Sequence, residues 1–232
     1  MTNSFIRSDG VKIDLIRESR CRLCSKPIPL RYKEYGYCTD CKDLRDMEPG
    51  IVMYAVTEYI LKDPPEKLSQ VNREIRDFKH DPALAEPLGE CLHYVLKNHY
   101  SHLGDVDRIV PAPSSNATRG YNQAALLAEY VSRHTGIPCE DILEKDTGCP
   151  KQYDLPADRK CVDIAGKIRP KRLIDGESVL LIDDTVISGC TMRECARVLK
   201  KAGAGTVYGL AVGRGMDRRR LEYIAREDAQ NV

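Results

Sequence analysis

Short uninterrupted apolar runs, rather than alternating ones, mark the candidate strands of this chain. The runs "RIVPAP" from residue 108 and "VLLI" from residue 179 stop abruptly at prolines or acids. Such runs are typical of strands that are buried on both faces of a parallel sheet. The run "TVYGLAV" at residues 206–212 predicts a third strand of this kind.

Helical patterns lie between these runs. "YNQAALLAEYVSRHTG" predicts an amphipathic helix with Gly136 past its end. Thr191, three residues before Glu194, predicts a capping box that opens a helix to Ala202, and Gly203 follows as a natural stop. Strand, helix and strand in this order form a βαβ unit, so the sequence predicts a parallel α/β sheet.

The remaining segments carry weaker patterns. Apolar residues recur at helical spacing across residues 52–100 and predict two or three helices. Lys79 ends one of them, where a cation suits the helix C-terminus. Residues 1–20 show no core pattern and predict a loose arm, whereas residues 144–176 are rich in glycine, proline and charge.

Composition narrows the class of protein. A length of 232 residues allows one or two domains. The 36 basic and 35 acidic residues give a net charge of +1, which offers no global electrostatic case for a nucleic-acid or membrane partner. No apolar run approaches the roughly 18 residues of a membrane span, and the N-terminus lacks the apolar centre of a secretory signal. We therefore expect a cytoplasmic protein without membrane insertion.

Four of the ten cysteines form two tight pairs, Cys21/Cys24 and Cys38/Cys41, with thirteen residues between the pairs. Each C-x2-C turn directs two thiolates at one ion, so the two turns predict one structural zinc per chain. Redox-active dithiol pairs and an iron–sulfur cluster are the alternatives. The other six cysteines are expected to be small buried residues: Cys91, Cys139, Cys149, Cys161, Cys190 and Cys195.

The run "VLLI" leads directly into Asp183 and Asp184, followed by a small, hydroxyl-rich turn. Adjacent carboxylates are costly inside a sheet, so we expect them at its carboxyl edge, where open α/β sheets bind ligands. The backbone N–H groups, the hydroxyls of Ser188 and Thr191 and a helix N-terminus suit a phosphate, and Gly189 permits close approach. Since carboxylates accept hydrogen bonds from hydroxyls, the pattern predicts a sugar-phosphate site. An ordinary acidic strand-to-helix turn is the alternative.

Three segments carry a family resemblance. "VLLIDDTVISGCT" resembles the ribose-phosphate signature of type I phosphoribosyltransferases. "IVPAPSSNATRGYNQAALLAEYV" resembles the pyrophosphate loop and Arg-Gly-aromatic-Asn-Gln run of the ComF family, late-competence proteins with an N-terminal four-cysteine zinc module. "REIRDFKHD" resembles that family's helix ending in Phe/Leu-Lys-Tyr, and the resemblance covers roughly residues 21–214.

The resemblance implies a fold and a division of the chain. The implied fold class is α/β, a type I phosphoribosyltransferase-like parallel sheet flanked by helices and preceded by a small four-cysteine zinc module and a helical segment. The N-terminal arm and zinc module are expected at residues 1–48 and the phosphoribosyltransferase-like domain at 49–232. This domain would comprise a helical lead-in at 49–104, an α/β core at 105–214 and a C-terminal tail at 215–232.

The resemblance also implies a site for phosphoribosyl pyrophosphate. Asp183 and Asp184 would bind its ribose hydroxyls, and Mg²⁺ would bridge ribose and pyrophosphate oxygens. The turn that would hold the 5′-phosphate consists of Val186, Ile187, Ser188, Gly189, Cys190 and Thr191. The matching pyrophosphate loop contains Pro113, Ser114 and Ser115.

Further candidates surround this site. Arg119 is a candidate catalytic residue that would face the pyrophosphate or the acceptor. Asn122 and Gln123 are candidates to orient groups there, with a polar first helical turn as the alternative. Type I phosphoribosyltransferases cover the reacting centre with a mobile loop, and the basic segment 151–172 matches it in position, with a solvated charged loop as the alternative. The residues of this segment that are candidates to contact the pyrophosphate are Lys151, Gln152, Arg159 and Lys160.

One difference from the family pattern leads to two hypotheses for the function. Ile187 stands where the family usually has threonine, at a position that carries a catalytic acid in some purine-salvage relatives. The first hypothesis is a phosphoribosyltransferase with an unidentified acceptor, in DNA uptake or nucleotide metabolism. The second is a non-enzymatic adaptor or sensor that binds single-stranded DNA through the zinc module and uses the sugar-phosphate site for regulation. Tyr32, Tyr35 and Tyr37 of "RYKEYGY" are the candidate stacking platforms. The family's role in competence also implies a helicase partner.

Overall fold

The computed structural model describes residues 4–16, 19–39, 41, 51–114, 120–146, 161 and 164–230, so the expected boundary at residue 48 lies outside them. In these residues the strands are β1 Ser4–Ile6, β2 Lys12–Asp14, β3 Val52–Ile60, β4 Arg108–Pro111, β5 Leu143–Lys145, β6 Ile168–Pro170, β7 Val179–Val186 and β8 Val207–Met216. The α-helices are α1 Gln70–Asp77, α2 Ala85–Asn98, α3 Gln123–Thr135, α4 Cys190–Lys201 and α5 Arg218–Ala229. Short 3-10 helices lie at Leu30–Tyr32, Pro65–Lys67, Pro82–Leu84 and Ser101–Leu103.

Four parallel strands form the central sheet in the order β3-β8-β7-β4. β4 and β7 contain the apolar runs that predict buried strands, and Val110, Leu181 and Ile182 in them are fully buried. β7 pairs with both neighbours in parallel, with Val110 opposite Leu181 and Leu210 opposite Ile182. Because all four strands run the same way, their carboxyl ends meet at one edge of the sheet.

Successive side chains of β7 enter two different layers. Leu180 and Ile182 pack with α1, α2 and α3 on one face of the sheet. Val179 and Leu181 pack with α4, β5, β6 and the four-cysteine segment on the other. The expected fold class, a parallel sheet flanked by helices and preceded by a four-cysteine module, is confirmed.

α3 begins and ends as the sequence predicts. The Asn122 side chain accepts a hydrogen bond from the Ala124 N–H (3.1 Å), which caps the first turn. Gly136 follows the helix with a φ of 79°, the left-handed conformation that ends many helices.

The capping box expected at the start of α4 is wrong. Gly189 precedes the helix and has no side chain with which to cap it. The Glu194 carboxylate instead accepts a hydrogen bond from the Gly166 N–H (2.8 Å) and pairs with Arg197 (2.6 Å). The Glu194 side chain therefore binds a residue that is distant in the chain and does not cap the first turn of α4.

The helical interpretation of residues 52–100 is wrong for its first nine residues, which form β3. β3 pairs in parallel with β8, and Met53, Ala55 and Val56 are buried on both of its faces. Its many β-branched and aromatic residues suit a strand. The partner strand lies far along the chain, so the local spacing of apolar residues does not reveal the pairing.

Residues 4–14 form an ordered hairpin rather than the expected loose arm. β1 and β2 pair antiparallel, and Phe5 stacks on Tyr94 of α2 with ring centroids 3.7 Å apart. The Arg7 guanidinium, 1% exposed, donates to the Glu74 carboxylate of α1 (2.6 Å). Strands of three residues are too short to produce a visible alternation, which explains the missed element.

The segment after the core forms a helix. α5 begins after Asp217, whose carboxylate accepts a hydrogen bond from the Arg219 N–H (2.9 Å). It lies against the cysteine-rich segment, where the Leu30 N–H donates to the Asp228 carboxylate (2.7 Å). Among the described helices, none is both long and apolar enough to cross a membrane.

Candidate functional site

Two adjacent carboxylates at the end of β7 point to opposite faces of the sheet, as the alternation of strand side chains requires. On the α3 side, the Asp184 carboxylate accepts a hydrogen bond from Gln123 Nε2 (3.2 Å). On the α4 side, Asp183 lies within electrostatic reach of Lys145 of β5. Both acids are half-buried, so the pair stands at the carboxyl edge where the sequence predicts it.

The surroundings of Asp183 raise the pKa of its carboxyl. Burial and the neighbouring Asp184 charge raise the pKa of Asp183 well above its usual range, and the Lys145 ammonium opposes this only in part. The carboxylate also accepts a hydrogen bond from the Asp184 N–H (2.9 Å). A ligand that brings hydroxyl donors or a cation to this carboxylate would favour its ionised form.

We expect Asp183→Asn to stabilise the ligand-free protein at neutral pH. The pKa of Asp183 is higher in the folded protein than in the unfolded chain, so the free energy of unfolding of the wild type falls as pH rises from the ordinary carboxyl range through the raised pKa. The amide cannot ionise, so the variant avoids this loss and the two curves converge at acid pH. Urea denaturation from about pH 4 to 8 measures the effect. Asp105→Asn, at an exposed position, is the control, and a difference that does not change with pH would contradict the raised pKa.

The turn after β7 is shaped to receive an anion. Val186 ends the strand, and Gly189 has a φ of 78°, a left-handed conformation that glycine adopts readily. α4 begins directly after Gly189 without a side-chain cap, so the positive end of its dipole faces the turn. The Ser188 hydroxyl accepts a hydrogen bond from the Cys190 N–H (3.3 Å), and Thr191 lies half-buried in the first turn of α4. Such a helix N-terminus is a ready anion site.

A buried arginine holds the turn from the protein interior. The guanidinium of Arg214, which is 1% exposed, donates hydrogen bonds to the carbonyl oxygens of Val186 and Ile187. Arg193 donates a further bond to the Ser188 carbonyl (2.7 Å). Because these carbonyl oxygens are already bonded to arginines, an anion at the turn would meet N–H groups rather than oxygens.

We expect Arg214→Met to lower the free energy of unfolding by about 2–4 kcal/mol, because it leaves two carbonyl oxygens without their buried donor. Urea denaturation followed by circular dichroism measures the change. Arg133→Met, which removes an exposed ion pair with Glu86, is the matched control and should cost less than about 1 kcal/mol. Equal losses in the two variants would mean that Arg214 does not support the turn.

On the β4 side, the structure describes part of the predicted pyrophosphate loop. Pro113 is buried and Ser114 is exposed directly after β4. The Asn122 side chain donates to the Ala112 carbonyl (2.9 Å) as well as capping α3, so it ties the strand end to the helix. The remaining predicted contacts lie outside the described residues: Ser115, Arg119, Lys151, Gln152, Arg159 and Lys160.

The four paired cysteines converge on one buried point. The sulfur atoms of Cys21, Cys24, Cys38 and Cys41 all lie within 4.8 Å of one another. The Cys24 and Cys38 sulfurs are 3.7 Å apart, and tetrahedral Zn–S bonds of about 2.3 Å place sulfurs roughly 3.8 Å apart. Hydrogen bonds with Cys21, Cys38 and Cys41, together with the Arg214 charge, hold the pKa of the Cys24 thiol below its usual range. The cluster is compatible with a closed structural zinc site.

Met53 of β3 links the cysteine cluster to the turn after β7. The Met53 N–H donates to the Leu23 carbonyl (3.1 Å), and the Ser25 hydroxyl donates to the Met53 carbonyl (2.6 Å). A Cβ added to Gly189 would lie 3.1 Å from Met53 Cε, so the turn packs directly on this side chain. A change in the cysteine cluster would therefore reach the turn through a single residue, Met53.

The isolated cysteines differ in their environments. Cys91 and Cys195 are fully buried, as expected, and burial raises the pKa of the Cys91 thiol to about 12. Cys161 is exposed and forms a disulfide with Cys190 at the start of α4, so the expectation of a small buried residue is wrong there. Cys139 is half-buried, and Cys149 lies outside the described residues.

Three cations of the site were not among the sequence-predicted residues. They are Lys145 near Asp183, Arg193 on the Ser188 carbonyl and Arg214 behind the turn. Each lies on a different element and belongs to no motif. Of the three, Arg214 alone is marked in the sequence, because a charged residue two positions after the buried-strand run "TVYGLAV" needs a partner if the strand continues.

Comparisons with known proteins find relatives that match most of this chain and relatives that match only part of it. No family model matches the chain. The chain is 26% identical over 220 residues to Competence protein F of Haemophilus influenzae, covering 86% of this chain and 93% of that protein. It is 29% identical over 109 residues to Amidophosphoribosyltransferase of Methanocaldococcus jannaschii, covering 46% of this chain and 21% of that protein. The chain thus spans about a fifth of that second relative's length.

A solved structure is also similar to part of this chain, at a lower sequence identity. Glutamine phosphoribosylpyrophosphate amidotransferase from B. subtilis gives a TM-score of 0.43 at 16% identity. The matched part covers 67% of this chain and 38% of the B. subtilis chain.

Proposed function

Because this chain belongs to the ComF family, we propose that it binds phosphoribosyl pyrophosphate with Mg²⁺ and transfers the 5-phosphoribosyl group to an acceptor. The observation that carries the proposal is the position of two half-buried carboxylates, Asp183 and Asp184, beside the N-terminus of α4, which begins after Gly189. A sugar phosphate needs both an anion cradle and acceptors for its hydroxyls. A role in DNA uptake or in nucleotide metabolism is part of the same proposal.

Each part of the substrate has a place in this proposal. The N–H groups of residues 186–191 bind the 5′-phosphate, supported by the dipole of α4. Asp183 and Asp184 accept hydrogen bonds from the ribose hydroxyls, and Gln123 orients the Asp184 carboxylate. The pyrophosphate extends toward Pro113 and Ser114 at the end of β4. Further contacts to it are proposed for residues outside the described ranges: Ser115, Arg119, Lys151 and Arg159.

The proposed reaction is a substitution at C1 of the ribose. The bond from C1 to the pyrophosphate oxygen breaks, and pyrophosphate leaves with the electron pair. A new bond joins C1 to the nucleophilic atom of the acceptor, whose proton passes to solvent. The protein contributes by holding the ribose, neutralising the leaving group and excluding water. Mg²⁺ prefers oxygen ligands, which the carboxylates of Asp183 and Asp184 provide, and when bound it supplies charge neutralisation.

Ile187 leaves the phosphate cradle intact. Its carbonyl oxygen accepts a hydrogen bond from Arg214, and a Cβ added to Gly215 would lie 3.0 Å from Ile187 Cγ1. The side chain therefore packs against β8 and cannot act as an acid or base. We propose that the acceptor is already nucleophilic when it binds.

The experiment that tests the function combines binding with turnover. Purified protein, Mg²⁺ and phosphoribosyl pyrophosphate are followed by calorimetry and by pyrophosphate release, first alone and then with candidate bases or DNA. We expect Mg²⁺-dependent binding and a release rate that rises when the acceptor is present. A protein that does not bind phosphoribosyl pyrophosphate would not have this function.

We also propose that the four-cysteine cluster holds one structural zinc per chain. Four thiolates fill every position of a tetrahedral ion, so no position remains for catalysis. Mass spectrometry of elemental content should find one zinc per chain, and iron or no metal would reject the assignment.

One observation favours a second candidate function, an adaptor that binds single-stranded DNA. A cavity of about 310 Å³ beside the cysteine cluster is lined by Tyr32, Tyr35, Tyr37, Tyr223 and Arg220, among others. Tyr35 is 68% exposed, and the Arg220 guanidinium lies 5.4 Å from the Tyr223 ring centroid. Exposed aromatic rings beside cations are stacking platforms for unpaired bases. In this proposal the sugar-phosphate site has a regulatory role and a competence helicase is a partner.

We expect Tyr35→Ala to weaken single-strand binding by about tenfold, because base stacking on an aromatic ring contributes roughly 1–3 kcal/mol. Gel shifts at low and moderate salt with a single-stranded oligonucleotide measure the change, and the matching duplex is the control. Lack of binding at low salt would remove the adaptor hypothesis.

A further inference from the structure

A cavity of about 450 Å³ opens beside Asp184 on the α1 side of the sheet. Its apolar walls come from Tyr59 and Leu61 at the end of β3, Ile75 of α1 and Ile187 of the turn. Asp184 and Ile187 belong to the proposed ribose and phosphate contacts, but the other residues around this space take part in none of them. The cavity is therefore an additional compartment that adjoins the ribose site.

The order of the strands places this cavity opposite the proposed pyrophosphate loop. β7 carries the carboxylates and has β4 on one side, with β8 and then β3 on the other. Pro113 follows β4, whereas Tyr59 and Leu61 lie at the end of β3. In a displacement the attacking and leaving atoms lie roughly in line on opposite sides of the reacting centre. A ribose held by Asp183 and Asp184 would thus receive its acceptor from the cavity.

Three cations line the same cavity, Lys62, Arg76 and Lys79. Arg76 donates to the Asp63 carbonyl oxygen (2.8 Å). Among the described residues, Lys62 and Lys79 have no hydrogen-bond or ion-pair partner, and both are exposed. Two long, unengaged ammonium groups at the mouth of a cavity favour an anionic ligand.

The two carboxylates of the cavity do not cancel this charge. Asp63 is already paired with Arg218 of α5. The Gln123 amide that donates to Asp184 is neutral and adds no charge, so three cations, Lys62, Arg76 and Lys79, face this one remaining carboxylate. The charge that remains for a ligand is positive and lies at Lys62 and Lys79.

We infer that the acceptor is a small anion with an apolar body, whose carboxylate or phosphate is held by Lys62 and Lys79. This inference rests on the proposed function, since it names the substrate class for the same site. Tyr59, Ile75 and Ile187 contact the apolar body and direct its nucleophilic nitrogen at C1. The C1–N bond forms as the C1–O bond breaks, pyrophosphate leaves with the electron pair, and the nitrogen releases its proton to solvent.

Matched ligand pairs test the charge of the acceptor. Calorimetry in the presence of Mg²⁺ and pyrophosphate compares nicotinate with nicotinamide and orotate with uracil, and inorganic phosphate serves as the probe for a phosphate group. We expect each carboxylate to bind at least about tenfold more tightly than its neutral counterpart. Lys62→Met and Lys79→Met keep the apolar stems and should abolish this preference. Lys97→Met, on the last turn of α2, should leave it unchanged.

The possible results separate the inference from the proposed function. Anions that bind no more tightly than neutral ligands, or a preference that survives in both lysine variants, would overturn the inference. An equal loss of pyrophosphate affinity in the lysine variants would also overturn it, because the lysines would then hold the leaving group. A wild-type protein that fails to bind phosphoribosyl pyrophosphate would overturn the proposed function instead, whatever the anions do.

Discussion

Cys24→Ser is expected to release the zinc proposed for the cysteine cluster and to unfold the segment around it. Structural zinc sites supply apparent binding free energies of about 10–16 kcal/mol, and this energy is folding energy because the site does not exist in the unfolded chain. Loss of even a third of it would lower the melting temperature by about 10 °C or more in a chain of this size. Elemental mass spectrometry and thermal unfolding measure the two effects.

The same change should weaken ligand binding at the turn after β7. The cluster is joined to β3 through Leu23 and Ser25, and Met53 of that strand packs against Gly189. Cys139→Ser is the matched control, because Cys139 is half-buried and lies outside the cluster. That variant should keep its zinc and its affinity for ribose 5-phosphate. A Cys24→Ser protein that still carries one zinc would show that the thiolates do not act together.

Asp184→Asn is expected to weaken the binding of phosphoribosyl pyrophosphate by about 10- to 100-fold. A hydrogen bond to a charged acceptor contributes about 1.5–3 kcal/mol, and the amide retains the shape of the side chain but not its charge. The amide also loses the affinity of the carboxylate for Mg²⁺. Calorimetry with and without Mg²⁺ measures both contributions.

The control for this experiment is Asp175→Asn, a carboxylate at an exposed position between β6 and β7. It removes the same charge without touching the site, so its affinity should match that of the wild type. An Asp184→Asn protein with an affinity within about twofold of the wild type would remove Asp184 from the ribose site. Circular dichroism of both variants establishes that each is folded.

The sequence correctly predicts the elements that are determined by interactions within a few residues. The apolar run of β7 is buried on both faces because every one of its residues from Val179 to Ile182 is apolar, whichever layer it enters. The C-x2-C pairs determine their convergence through the tight turn within each pair. Asn122 and Gly136 mark the ends of α3 through hydrogen bonding and backbone conformation within a few residues.

Other features depend on partners that are distant in the chain. β3 is a strand because β8 lies beside it, although its apolar spacing also suits a helix. Glu194 leaves the end of α4 because the Gly166 N–H offers a tertiary partner. Arg214 supports the turn only because parallel pairing brings β8 next to β7, with Val186 opposite Arg214.

The candidate site divides in the same way. Adjacent acids, a glycine and a following helix lie within one short segment, so the sequence alone predicts a sugar-phosphate site there. The cavity beside Asp184 joins residues of β3, α1 and the turn, which no stretch of sequence contains. Side-chain identity and short-range hydrogen bonding therefore placed the carboxylates and the cysteines, whereas the order of strands in the sheet decided which cations and apolar walls surround them.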